Sequence, residues 1–137
     1  VIVGIGTDII AIERIRRAEE KSGGRFSQRV LTAAEKRIYE GRRDRMAVLA
    51  ARFAAKEAVA KALGTGLGVV SWQDIEIGRS ETGRPVVRLT GEAEQQARRL
   101  GIGEIQLSLS HCQEYAVAFA LALRKPGGLQ QFLKTIL

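Results

Sequence analysis

The chain has 137 residues, with 22 lysines and arginines against 15 aspartates and glutamates, a net charge of +7. Its 45% apolar and 27% charged residues are those of an ordinary globular domain, and its length fits one such domain, so dominant disorder is excluded. A single cysteine, Cys112, excludes an internal disulfide framework, and one cysteine with one histidine excludes a zinc site; a reducing, cytoplasmic setting is expected.

The most apolar window, 46–63, is interrupted by Arg52, Lys56, Glu57 and Lys61, so no bilayer span is expected, nor is membrane association. No basic region precedes an apolar one at the start, so no signal peptide is expected. Sixteen of the 22 cations are arginine, which favours planar partners such as phosphate and carboxylate. The charge excess admits nucleic acid, a phosphorylated small molecule or an acidic protein as partner, alongside a merely solvated surface.

In chain order, Val1 to Gly6 is β-branched and glycine-terminated and reads as a strand. Ile12 and Ile15, continuing the isoleucines at 9 and 10, suggest a helix from about Ala11 to Lys21 with an arginine-rich outer face. Thr32 and Glu35 form a capping-box pattern that starts a second helix. The third helix, about Asp44 to Leu63, is rich in alanine and stops at Gly64. Asp74–Ile77 and Pro85–Leu89 read as a hairpin around a turn at Ser80–Arg84, and Glu92–Leu100 as a short helix closed by Gly101. Ile105–Ser110 alternates strictly, and Tyr115–Leu123 alternates large residues with alanines. Both faces of that last strand are apolar; the large face suits the helices, and the alanine face is left to another subunit or to a central position. Leu129, Phe132, Leu133, Ile136 and Leu137 recur at helical spacing, suggesting a short docking helix in an extension, 126–137, behind a domain of 1–125. Helices early and strands late favour an α+β fold: an antiparallel sheet packed on the long alanine-rich helix.

Few residues carry chemistry on their own. Gly4-Ile5-Gly6 follows a strand, but Ile9 stands where a dinucleotide fingerprint needs its third glycine. The Gly64–Gly68 segment lacks the ending of a phosphate-binding loop. Asp8 is either a helix N-cap or a carboxylate presented after a strand. Glu57 and Lys61 share a helical face as a surface ion pair or as a cation ligand and a phosphate partner; Arg52 and Lys56 stand at the same spacing on a different flank. His111 ends an alternating strand beside Cys112, which is expected to be a buried thiol, and Trp72 is expected to be a core or edge aromatic.

Taken together, Gly4 to Ile9, the run Arg52-Phe53-Ala54-Ala55-Lys56-Glu57-Ala58 with Lys61, Gly64-Thr65-Gly66, Gly83-Arg84-Pro85 and Ser108 to His111 resemble the holo-acyl-carrier-protein synthase type of 4′-phosphopantetheinyl transferase. The resemblance spans Val1 to about Arg124. It implies transfer of 4′-phosphopantetheine from coenzyme A to a serine of an apo acyl carrier protein in fatty acid biosynthesis, with release of adenosine 3′,5′-bisphosphate. It implies Mg²⁺ on Asp8 and Glu57, and Lys61 near the transferred phosphate. Coenzyme A contacts map onto Arg52, Lys56, Gly64, Thr65, Gly66, Arg84, Pro85, Ser110 and His111. For the base, a carboxylate acting through water comes first and His111 second. An acidic carrier protein would dock on Arg14, Arg17, Lys21, Arg25, Phe26 and Arg29, and a homotrimer would bind coenzyme A between subunits. A coenzyme A or nucleotide binder without transfer activity is a competing reading, as is a nucleic-acid-binding module, which the 5% aromatic content disfavours.

Overall fold

A ten-residue strand, β1 (Ile2–Ala11), opens the chain and passes directly into helix α1 (Ile12–Lys21). Two short helices follow, α2 (Arg25–Val30) and α3 (Ala33–Glu40), and then the long α4 (Arg45–Ala62). A single 3-10 turn at Trp72–Asp74 leads into the hairpin of β2 (Ile75–Arg79) and β3 (Pro85–Leu89). Helix α5 (Gly91–Arg99) connects this to β4 (Ile102–His111) and β5 (Tyr115–Arg124). The structure, a computed structural model, describes residues 1–125 and 133–136. Most of the expected extension therefore lies outside the described residues; Leu133 and Ile136 are exposed.

The fold is α+β. Strand β5 lies between β1 and β4 in an antiparallel sheet, and the β2–β3 hairpin forms a second small sheet. Both halves of the expected capping box are made: Glu35 N donates to Thr32 Oγ1 and Thr32 N donates to the Glu35 carboxylate. Gly64 follows α4 at φ +79°, a conformation glycine adopts without a Cβ penalty.

Helix α4 lies across one face of the three-stranded sheet, and the packing there reverses the reading of β5. Ala116, Ala118, Ala120 and Ala122 are fully buried against α4, whereas Tyr115, Val117 and Phe119 are exposed. The cause is distance. A Cβ on Gly4 would fall 1.9 Å from the Ala62 carbonyl oxygen, and one on Gly6 would fall 1.9 Å from that of Ala58. The helix lies so close to the sheet that only glycine and alanine fit beneath it, which leaves the large residues for the outer face. The Gly-x-Gly run is a packing device.

Three other expectations change. Asp8 pairs with Ala118 inside β1, so it is not a helix cap; the strand runs on through Ile9 and Ile10 because β5 supplies hydrogen-bond partners as far as Ala11. Helix α2 was not foreseen; at six residues it is too short to show periodicity, and it starts from Gly24 at φ +89°. Cys112 is exposed, because β4 ends one residue before it.

Candidate functional site

Alternation along β1 puts Gly4, Gly6 and Asp8 in one row. The first two bring α4 down onto the strand; Asp8 is the first of the three with a side chain to present. Glu57 and Lys61, one turn apart on α4, stand beside it. Lys61 Nζ donates to the Thr7 carbonyl at 3.0 Å and lies 3.7 Å from Asp8 Oδ1. Asp8 Oδ2 is buried without a hydrogen-bond partner. Burial raises the Asp8 carboxyl above its ordinary value, against the opposing charges of Lys61 and Arg14. Burial, and then the Asp8 charge, raises Glu57 in the same way, with Lys61 opposing. Two crowded carboxylates and an orphaned oxygen suit a hard divalent cation, which takes one or two carboxylates and fills its other positions with water and substrate phosphate. Among the described residues no group of three or more histidine, cysteine or acidic side chains converges.

A second feature lies between the first half of α4, the β2–β3 hairpin and the end of β4. It is a cavity of about 730 Å³ bordered by Arg42, Arg52, Arg79, Arg84, Ser110 and His111, with Ala47, Ala51, Pro85 and Leu107 supplying apolar wall. Arg42 grips Asp44 through two bonds of 2.9 Å, and Arg79 donates to the Gly83 carbonyl. Arg52 is 5% exposed and makes no hydrogen bond among the described residues; its nearest counter-ion oxygen, on Glu35, is 4.0 Å away. A buried guanidinium with open donors beside three more arginines has the chemistry of an anion site. The expected residues Arg52, Arg84, Pro85, Ser110 and His111 do converge here. Arg42 and Arg79 were missed, although the run Arg42-Arg43-Asp44-Arg45 ahead of α4 was a visible signal.

The other expected residues fall elsewhere. None of Asp8, Glu57 and Lys61 borders this cavity. His111 lies two strands from β1, about 10 Å at ordinary strand spacing, and so is not beside Asp8 in the same chain. Gly64, Thr65 and Gly66 form the turn that ends α4, separated from Lys61 by Ala62 and Leu63; Gly64 N donates to the Lys61 carbonyl, and Thr65 Oγ1 is buried without a partner. Lys56 is a correction. Its ammonium is fully buried and donates to the Val30 carbonyl, Glu35 Oε1 and the Trp72 carbonyl at 2.6, 2.6 and 3.0 Å. All three protons are used inside the fold, so none faces a ligand; the lysine ties α2, α3, α4 and the 3-10 turn together.

Arg14, Arg17, Lys21, Arg25 and Arg29 are exposed on α1 and α2. Arg14 is near enough for its charge to lower the Asp8 carboxyl, so this cationic face adjoins the carboxylate cluster. Phe26 is half-buried against Phe53, which stacks on Trp72 at 4.9 Å. Glu19 fixes the two helices relative to each other and to α3: its carboxylate accepts from Ser27 N at 3.0 Å and from the Tyr39 hydroxyl at 2.7 Å.

Those bonds hold Glu19 below its ordinary value despite burial, while burial and Glu19 push Tyr39 up to about 12. A depressed carboxyl contributes stability that is present above its unfolded value and is lost as pH falls through the folded one. Thermal melts from pH 6 down to pH 3 are therefore expected to show a shallower acid decline for Glu19→Gln than for the parent. Identical declines would remove Glu19 from the acid response.

A family model described as the 4′-phosphopantetheinyl transferase superfamily matches residues 4–120. The chain belongs to that superfamily. It is 56% identical over 116 residues to a holo-[acyl-carrier-protein] synthase of Moorella thermoacetica, covering 85% of this chain and 90% of the relative. The crystal structure of the Neisseria meningitidis holo-[acyl-carrier-protein] synthase superposes with a TM-score of 0.85 at 38% identity, covering 90% of this chain and all of that one. A Bacillus anthracis holo-(acyl-carrier-protein) synthase in complex with CoA (3′,5′-ADP) superposes at 0.76 with 36% identity, covering 90% of this chain and 98% of that one. The superfamily match thus takes in β1 with Asp8, α4 with Glu57 and Lys61, and the arginine-lined cavity. Among the described residues no helix is long and apolar enough to cross a membrane.

Proposed function

We propose that this chain moves 4′-phosphopantetheine from coenzyme A to a serine of an acidic acyl carrier protein, with release of adenosine 3′,5′-bisphosphate, in cytoplasmic fatty acid biosynthesis. The observation that carries the reading is the orphaned Asp8 oxygen crowded against Glu57 and Lys61. Asp8 and Glu57 would hold Mg²⁺, which supplies charge neutralisation on the coenzyme A pyrophosphate when bound. The arginine cavity would bind and orient the phosphorylated adenosine end. Lys61, half exposed beside Asp8, would stabilise charge on the departing phosphate. The serine oxygen forms a bond to the phosphorus that carries pantetheine, and the bond from that phosphorus to adenosine bisphosphate breaks. The serine proton passes through a water to a carboxylate of this cluster.

The separation of cavity and carboxylates within one chain supports a homotrimer in which a cavity of one copy faces the carboxylates of the next. The outer sheet face supports it too, since Ile5, Ile9, Val117 and Phe119 are exposed there and apolar surface of this kind favours association. Sedimentation equilibrium checks the assembly: a monomer at micromolar concentration counts against it.

The function is tested by mixing the protein with coenzyme A, Mg²⁺ and an apo carrier protein and weighing the carrier. A pantetheine adduct is expected; no adduct would sink the reading. Charge reversal at Arg14 or Arg25 is expected to raise KM for the carrier about tenfold and leave adenosine bisphosphate binding unchanged, because exposed charges act mainly on association and orientation. Equal loss of both would reassign these residues.

A further inference from the structure

The arginine cavity raises a question of its own: four guanidiniums repel one another, and one of them is buried. Burial, and after it the charges of Arg79 and Arg42, oppose the charged form of Arg52, and Glu35 favours it. Arg42 has Asp44 as its own counter-ion. Behind Arg52 stands Glu35, 2% exposed, with both carboxylate oxygens in use. Oε1 accepts from Thr32 N at 2.8 Å and from Lys56 Nζ; Oε2 accepts from Ile77 N at 2.9 Å and is the atom 4.0 Å from Arg52. One carboxylate thus meets the start of α3, two cations of α4 and the free edge of β2. Thr32 Oγ1 adds a bond of 2.6 Å to Glu76 on the same strand. Strand β2 carries Arg79 at its end, and the turn and β3 that follow carry Arg84 and Pro85 to the cavity.

We infer that Glu35 is a positioning residue for the phosphorylated ligand of this cavity: it fixes Arg52 with its donors open and sets the hairpin arginines at the right distance from α4. The inference rests on the functional reading above. Glu35 touches no ligand. Its long contact to Arg52 compensates charge without consuming a donor, so the guanidinium stays available. The short bonds go to Lys56 and Ile77 N, which are structural.

The test uses the full chain, with adenosine 3′,5′-bisphosphate as probe in titration calorimetry and coenzyme A and carrier protein in kinetics. Glu35→Gln keeps the capping box, since glutamine serves at that position, but removes the charge. Glu35→Gln/Lys56→Met removes the buried pair together, so that no buried ammonium is left unmatched. In either variant, probe affinity and KM for coenzyme A are expected to worsen about tenfold, the scale of coupling between residues of one network, with KM for the carrier within about twofold of the parent. Parent-like affinity in a folded variant overturns the inference, as does an equal rise in both KM values or loss of folding in both variants. Failure of the parent itself to bind the probe would instead overturn the functional reading.

Discussion

Asp8→Asn is expected to lower phosphopantetheine transfer roughly a thousandfold, about 4 kcal/mol of barrier at 1.36 kcal/mol per factor of ten. The substitution keeps the size of the side chain and its place in β1, opposite Ala118. It removes the charge that makes the orphaned Oδ2 a cation ligand and relieves the crowding that raises Glu57. The sign of the stability change follows. A carboxyl with a raised folded value adds stability below its unfolded value and loses it as pH rises through the folded one, so at neutral pH the ionised pair is a burden on the fold. Asp8→Asn is therefore expected to melt at or above the parent temperature while losing activity, a stability–activity trade-off at a site built for charge. Any thermal shift that Mg²⁺ gives the parent should vanish in the variant. Adenosine bisphosphate binding should weaken but persist, because the substitution leaves every residue that borders the arginine cavity intact. A variant retaining more than a tenth of parental activity would remove Asp8 from the reaction.

Much of this was legible in the chain. The capping box at Thr32 and Glu35, the alanine-rich helix stopped at Gly64 and the hairpin around Ser80–Arg84 are local signals, and each folds as its residues dictate. What failed depended on distances that sequence does not carry. Residue size assigned the large face of β5 to the helix; the close approach permitted by Gly4 and Gly6 assigns it to solvent. The family resemblance placed Lys56 beside coenzyme A, but its three acceptors come from Val30, Glu35 and Trp72, which are distant in sequence and converge only in the fold. Glu35 looked like a cap and nothing more, because its second oxygen is engaged only once β2 arrives. For the same reason the sequence showed Arg52 and Lys56 only as two cations one turn apart on a flank of the helix. Both are buried against Glu35; Lys56 is saturated, whereas Arg52 keeps its donors.

The close approach has the sharpest consequence for folding. Gly6→Ala would put a Cβ 1.9 Å from the Ala58 carbonyl oxygen and 2.9 Å from both the Ala58 carbonyl carbon and the Ala62 nitrogen. These are helix backbone atoms, not the yielding end of a long side chain, so relief requires α4 to lift from β1 by an ångström or more. Overpacking usually costs about 1–3 kcal/mol. A rigid backbone clash belongs at the upper end, about 3 kcal/mol, a large share of a stability of about 5–15 kcal/mol. The same lift would move Glu57 and Lys61 away from Asp8, so activity should fall with stability. Gly78→Ala is the control: its Cβ would meet nothing within 4 Å, and a change within about 0.5 kcal/mol is expected, as for a neutral surface substitution. Urea denaturation of both variants checks this. A cost below about 1 kcal/mol for Gly6→Ala would mean the helix can yield, and the explanation of the buried alanine face would fall with it.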